Sequence, residues 1–312
     1  MTTTADTVTI PSASISSTEG PWRRAWRQFL RQRSAIIGMI MIGLLAFTAI
    51  FAPLIAPFDP VQVLLGKEEG IKKRTGPCVH LLGCPAEQPE HILGVDGNFR
   101  DLFSRIIYGA RLSLLIGFVT VAISLTIGTL LGSFAGYIGG WLDNLIMRML
   151  DVLLAFPFLL LAIAIVSVLG PGLMNAMLGI AIVSVPAYAR VIRASVLSAR
   201  EEDYVLAARA LGVAPVNILF GHIMPNAISP LIVQATLGIG TAILDVAALS
   251  FLGLGAQPPT PEWGSMLSAE RNQVFTAPHL VFIPGLAIML TVLGFNLLGD
   301  GLRDALDPRL KR

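Results

Sequence analysis

Long apolar windows alternate with short polar segments along this chain. The first window covers 34–58, and five more cover 112–136, 145–170, 174–192, 228–254 and 280–298. A helix needs about 20 mostly apolar residues to cross the hydrocarbon core of a bilayer. Several windows hold Gly or Pro, which membrane helices tolerate because neighbouring helices satisfy the freed backbone groups. The pattern predicts an all-α membrane protein with about six transmembrane helices. Residues 1–20 are rich in Thr and Ser and lack an apolar period, which predicts a disordered tail within a basic 1–33 segment. Basic residues ahead of an apolar run can mark a signal peptide. The run at 34–58 is too long for one and has no small-residue cleavage site, so an uncleaved first span is expected. Trp22 and Trp26 suit an interface anchor.

Two shorter patterns sit between the spans. Phe99, Leu102, Phe103, Ile106 and Ile107 recur at helical spacing, with Arg100, Asp101, Ser104 and Arg105 on the other face. This predicts an amphipathic helix in the outer interface, closing an extracytoplasmic loop at 59–111. The alternative is an extension of the second span. The segment 198–212 also predicts a short helix, of about 13 residues and roughly 20 Å. Ser198 and Glu201 have capping-box spacing, and Glu201, Glu202 and Asp203 suit the positive end of the helix dipole. Gly212 can supply a left-handed cap, with Pro215 beyond it. Tyr204, Ala207, Ala208 and Leu211 form a face of apolar and small residues. That face needs cover, either from the chain's own bundle or from a partner that approaches closely.

Composition agrees with the spans. Apolar residues make up 54% of the chain and charged residues 13%, against about 25% in soluble domains. Mean hydropathy is +0.73. A net charge of +2 gives no footprint for nucleic acid, but the arginines cluster. Arg23, Arg24, Arg27, Arg31 and Arg33 precede the first span. Arg190, Arg193, Arg200 and Arg209 flank the loop after the fourth, and Arg303, Arg309, Lys311 and Arg312 close the sequence. In a six-span arrangement all three groups share one side, which the positive-inside rule makes cytoplasmic, together with both termini. Lys67, Lys72, Lys73 and Arg74 oppose this, but they lie in a long loop far from the spans. No internal repeat supports an inverted-repeat transporter.

Candidate chemistry is sparse. No Gly-x-x-x-x-Gly-Lys-Ser/Thr loop occurs, so ATP hydrolysis by this chain is not expected. Cys78, His80, Cys84 and His91 lie close together outside the membrane. A Cys78–Cys84 disulfide suits an oxidising exterior, while a zinc site and two free thiols are the other readings. Arg148 and Asp151 are placed for a local ion pair. Asp245, in the fifth span, is costly against lipid and should face the bundle or a wet cavity. There it either lines a pathway and favours solutes with a positive group, or makes a structural hydrogen bond near Gly253 to Gly255.

Leu206-Ala207-Ala208, then Gly212 and Pro225, resembles the loop shared by permeases of ATP-binding-cassette importers, where Glu-Ala-Ala precedes Gly and Pro. Leu206 replaces the Glu, which forgoes one polar contact to the ATPase. His222 to Asn226, His91 to Asp96, Ser104-Arg105, Gly109 to Leu114, Asp151 to Pro157 and Tyr188 to Arg190 are similar to the dipeptide/oligopeptide/nickel permease family. So are Leu249 to Gly255, Pro261 to Gly264 and Phe295 to Asp300. Leu302 to Arg309 resembles its C-type subunit. Val95, Asn98-Phe99 and Val246, where the family often carries Thr, an uninterrupted Gly-Arg-Asp and Glu, are departures.

The resemblance implies a type I importer permease fold, with a core of five spans over 112–312 and a cytoplasmic coupling loop at 193–227. It places Glu201, Glu202, Asp203, Tyr204, Ala207, Ala208, Arg209, Gly212 and Pro225 in contact with an ATPase. It also implies a second permease subunit, two cytoplasmic ATPase subunits carrying ATP and Mg, and an extracytoplasmic substrate-binding protein. No cofactor or metal is expected on this chain. Transport of peptides or similar solutes would follow from alternating access. A self-contained secondary transporter or channel, or a membrane enzyme, would instead need buried ionisable or metal-ligating clusters. Only Asp245 offers one such group.

Overall fold

The computed structural model describes residues 27–85 and 87–306; the expected 1–20 tail and the basic residues 309–312 lie outside them. Nine helices carry the architecture of the described residues. They are α1 (Arg33–Ile50), α2 (Leu102–Ile138), α3 (Gly140–Leu154), α4 (Phe158–Leu169), α5 (Leu173–Ala199), α6 (Asp203–Ala210), α7 (Ser229–Phe251), α8 (Trp263–Glu270) and α9 (His279–Leu306). Short single turns join them, and the described residues form isolated β-bridges rather than strands. Five helices, α1, α2, α5, α7 and α9, are long and apolar enough to cross a membrane, and α3 with α4 makes a sixth if the bent pair counts as one span.

That bent pair corrects the single span expected at 145–170. α3 and α4 meet at 91° across Ala155 to Pro157. Pro157 has no N–H to continue the hydrogen-bond ladder and disfavours helical geometry at Phe156, so the helix stops there. α4, with 12 residues, spans about 18 Å, too short to cross alone.

The separate interfacial helix at 99–107 is also corrected. Phe99 has φ 57° and lies outside helix. Leu102 onward is the first turn of the 37-residue α2. Asp101 caps it by accepting from the Ser104 backbone N–H at 2.7 Å. The polar face does not meet water. Arg105 is buried and donates to the carbonyls of Pro60, Pro259 and Thr260 at 2.8, 3.1 and 3.3 Å. Folded loops, rather than headgroups, satisfy this face.

α2 and α5 form the most extensive helix pair. Gly128, Gly132 and Gly136, one turn apart, turn toward Val185 to Val196. A Cβ on Gly128 would lie 2.7 Å from the Cβ of Tyr188, and one on Gly136 would lie 2.9 Å from the Arg193 carbonyl oxygen. Small residues at this spacing let two backbones close up where lipid gives no hydrophobic drive for association. α1 rides on α9 by the same device, with Gly38 against the Gly294 carbonyl and Gly301 against Ala35. Five apolar clusters fill the bundle. One of them, around Tyr188, Ile192, Val196, Ile218 and Ile223, continues out of the spans to support α6.

Candidate functional site

At one end of the bundle, α5 runs straight through Ser198 to Ala199. The helix 198–212 is therefore two elements, and the Ser198 capping box does not form. Backbone bonds already extend α5 past Ser198, with Arg200 N–H donating to Val196 at 2.9 Å. α6 begins after Glu202, whose extended backbone makes the turn. The C-terminal expectation holds in detail. Gly212 takes φ +76°, its N–H bonds the Arg209 carbonyl at 3.0 Å, and the Val213 N–H bonds the Ala208 carbonyl at 3.1 Å. This is a Schellman motif, and Gly tolerates its left-handed residue at no steric cost.

The faces of α6 divide differently from the sequence expectation. Val205 and Ala208, three residues apart, are buried at 0% and 6% exposure against Ile218 and Ile223 of a π-helical stretch, Ile218–Ile223. Tyr204, Ala207, Arg209 and Gly212 are exposed, and Leu211 is 83% exposed. Ala207 lies about 100° around the helix from Ala208, so the two alanines point to different surroundings. Ala208 therefore leaves the outward face. The Arg209 guanidinium rests on the Tyr137 ring at 5.8 Å, and the Asn226 amide, beside exposed Pro225, donates to the Tyr204 hydroxyl at 3.4 Å. Arg200 donates to Glu201 at 2.8 Å and to the Gly136 carbonyl at 3.1 Å, tying the loop to α2. Glu202 and Asp203 are exposed.

Two ion pairs lock α3 to α5 close by. Arg193 holds Asp143 with two bonds of 2.5 and 2.6 Å, and Arg190 holds Asp151 at 2.6 Å. Asp151 thus pairs across helices rather than with Arg148 on its own, because α5 passes the same face of α3.

Between α2, α5 and α7 lies a groove of about 280 Å³. Asp245, Thr241 and Gln234 line it from α7, Thr120 from α2 and Tyr188 from α5, with Phe158 at the α3–α4 break. Asp245 is half-buried there, whereas Val246 is fully buried in an apolar cluster with Ile116 and Met177. The segment expected to hold Asp245 is otherwise engaged. Ser250 accepts from the Ala256 N–H at 3.1 Å, and Gln257 donates to the Gly253 and Gly255 carbonyls at 3.0 Å each.

The opposite end carries the folded loop. Cys78 and Cys84 are joined as a disulfide. That removes both thiolates from a zinc site, and among the described residues no group of three or more His, Cys, Asp or Glu could hold a metal ion. His91 is 2% exposed, with Nδ1 at 2.9 Å from Asp101 and Nε2 at 3.1 Å from Glu68. Burial alone would push its pKa down. The hydrogen bonds and charges of Asp101 and Glu68 outweigh burial, and the net shift is upward. Arg74 donates to Glu270 at 2.9 Å and pins the loop to α8. The sequence reading missed this network, as well as the hydroxyls of Thr120 and Tyr188. His91 and Asp101 are separated by 10 residues, and no helical or strand period links them.

A bundle of apolar helices with a groove partly lined by polar side chains inside it and a short supported helix outside it is the build of a multi-pass membrane transport subunit. The profile of the binding-protein-dependent transport system inner membrane component family matches residues 128–312, and that of the N-terminal TM domain of oligopeptide transport permease C matches residues 20–69. The chain belongs to the binding-protein-dependent transport system inner membrane component family and is a multi-pass protein of the cytoplasmic membrane. It is 52% identical to the dipeptide transport system permease protein DppC of Alkalihalophilus pseudofirmus over 93% of this chain and 91% of the relative. It is 50% identical to the di/tripeptide transport system permease protein DppC of Pseudomonas aeruginosa, over 93% of each. With the glutathione transport system permease protein GsiD of Pectobacterium atrosepticum it shares 45% identity, over 97% of this chain and 96% of the relative. In fold it resembles a chain of the inward-facing MetNI methionine ABC transporter, with a TM-score of 0.53 and 19% identity over 65% of this chain and 96% of that one.

Proposed function

We propose that this chain is one of two permease subunits in an ATP-driven importer of dipeptides, oligopeptides or similar small solutes. The peptide substrate rests on relatives that are 45–52% identical and named for dipeptide, di/tripeptide and glutathione transport. The observation that carries the ATP-driven reading is α6. Its inner face, Val205 and Ala208, is fixed to the spans through the π-helical stretch, while Tyr204, Ala207 and Leu211 stand outward without cover among the described residues. A helix held in this way can pass a push from a docked subunit to α5 and α7 as a rigid lever.

The docking partner is one of two ATPase subunits, which bind the ATP and Mg that this chain, without a phosphate loop, does not. Glu201, Glu202, Asp203, Arg209, Gly212 and Pro225 frame the contact. A second permease subunit completes the pathway, and an extracytoplasmic binding protein delivers the solute to the end that carries Cys78. The α6 end is cytoplasmic, as the arginines around it favour. Purification in mild detergent tests this. Two ATPase subunits and a second permease should travel with the tagged chain. A chain that remains alone in several detergents while folded contradicts the assembly.

A further inference from the structure

We propose that the groove around Asp245 is the part of the translocation pathway that takes a cationic group of the solute, such as the ammonium of a peptide amino terminus. The inference rests on the permease reading above and deepens it. Asp143 and Asp151, the carboxylates of the bent pair, are each matched by an arginine. Asp245 is not. No Lys, Arg or His lines its groove, and no hydrogen bond among the described residues engages it. A carboxylate held inside a membrane bundle without a partner is costly, and such groups mark solute and ion paths.

A second group in the groove is also unmatched. Thr120 is 1% exposed, and its hydroxyl has no hydrogen-bond partner among the described residues. Buried polar atoms in folded proteins nearly always have one, so an orphan lining a cavity of about 280 Å³ points to something that enters it. The Tyr188 hydroxyl sits against Gly238, where a Cβ could not fit. The bare glycine leaves that hydroxyl at the wall of the groove. One carboxylate and hydroxyl oxygens lining the same groove make an acceptor set, the complement of an ammonium with three N–H donors. The structural alternative, a bond from the Gly253 to Gly255 segment to Asp245, is not made: the Gly253 and Leu254 N–H groups donate instead to the Ser250 and Leu249 carbonyls, each at 2.9 Å.

Thr241 lies one turn from Asp245 on the same face of α7 and lines the same groove. Both native cysteines are in the disulfide, so Thr241→Cys places a single reactive thiol in this subunit. The complete transporter, in membrane vesicles, is treated with cationic trimethylammonium-ethyl methanethiosulfonate or anionic sulfonatoethyl methanethiosulfonate. Relative to a free thiol, the cationic reagent should be favoured by about tenfold or more, as in clefts that focus one sign of charge. Adding Asp245→Asn should remove that preference. Gln234→Cys, further along the groove, serves as a second reporter should the first variant fail to assemble. An unchanged preference in the Asp245→Asn background overturns the proposal, as does a thiol that neither reagent reaches. In the same vesicles, Asp245→Asn should slow ATP-driven uptake of labelled Ala-Ala, relative to the wild type, more than that of its N-acetylated form, and equal slowing of both contradicts the subsite. ATP-driven uptake by the wild type separates the two levels. If it is present and the charge preference is absent, only the subsite fails; if it is absent, the permease reading fails with it.

Discussion

Leu211→Ala and Val205→Ala should separate docking from folding at α6. Val205 is fully buried against the π-helical stretch. Removing two methyl groups there costs about 0.8 kcal/mol each in transfer, near 1.6 kcal/mol, plus a cavity term. The loop should loosen, and ATPase binding should weaken only as a consequence. Leu211 is 83% exposed on this chain. Its truncation should change folding stability by no more than about 0.5 kcal/mol, the usual range for surface positions. If the docked ATPase covers this side chain, its truncation removes buried apolar area and should cost about 2 kcal/mol of binding, or roughly 30-fold in affinity. Thermal unfolding in detergent reads the first quantity, and titration of the purified ATPase onto the permease pair reads the second. Leu211→Ala with wild-type affinity, or with a stability loss equal to that of Val205→Ala, refutes the assignment of faces.

Gly132→Ala should destabilise the bundle by about 1–3 kcal/mol, the range for overpacking, because its Cβ would run into the Ala189 carbonyl oxygen and the Ile192 side chain. Gly43→Ala should not, because nothing lies within 4 Å of the added carbon; equal melting temperatures for the two variants in detergent contradict the close packing of α2 on α5. The His91 network predicts a pH dependence. With the folded pKa raised above 6.5, protonated His91 stabilises the loop fully below about 6.5 and loses that contribution as pH rises through the folded value. Hydrogen exchange of the Cys78 and His91 amides should quicken over that window, and His91→Gln should flatten the change. A loop whose exchange, corrected for intrinsic rates, is independent of pH around neutrality contradicts it.

The spans were legible because hydropathy over 20 residues needs no knowledge of neighbours. The helix α6 was legible at its C-terminus, where a left-handed residue admits few side chains besides Gly212. It was not legible at its start, where Ser198 could begin one helix or continue another and tertiary structure chose the second. Faces were harder still. Ala207 and Ala208 are chemically identical, and only the position of Ile218 and Ile223 decides which one is buried. The polar side of 99–107 looked made for water, but it meets the carbonyls of loops up to 155 residues away. Pro157 carried the signal for the 91° bend, yet the apolar residues on both sides read as one window. Asp245 was legible as an anomaly, and its groove and the orphaned Thr120 appear only once three helices are packed.

Energy coupling tests the central claim most directly. The detergent-purified assembly is placed in vesicles with its binding protein, and uptake of a labelled dipeptide is followed with ATP, with a non-hydrolysable analogue, and with proton or sodium gradients alone. An importer permease gives uptake that requires ATP hydrolysis, needs the binding protein and ignores the gradients. Uptake driven by an ion gradient without ATP would make this chain a self-contained secondary transporter and contradict the role assigned to α6.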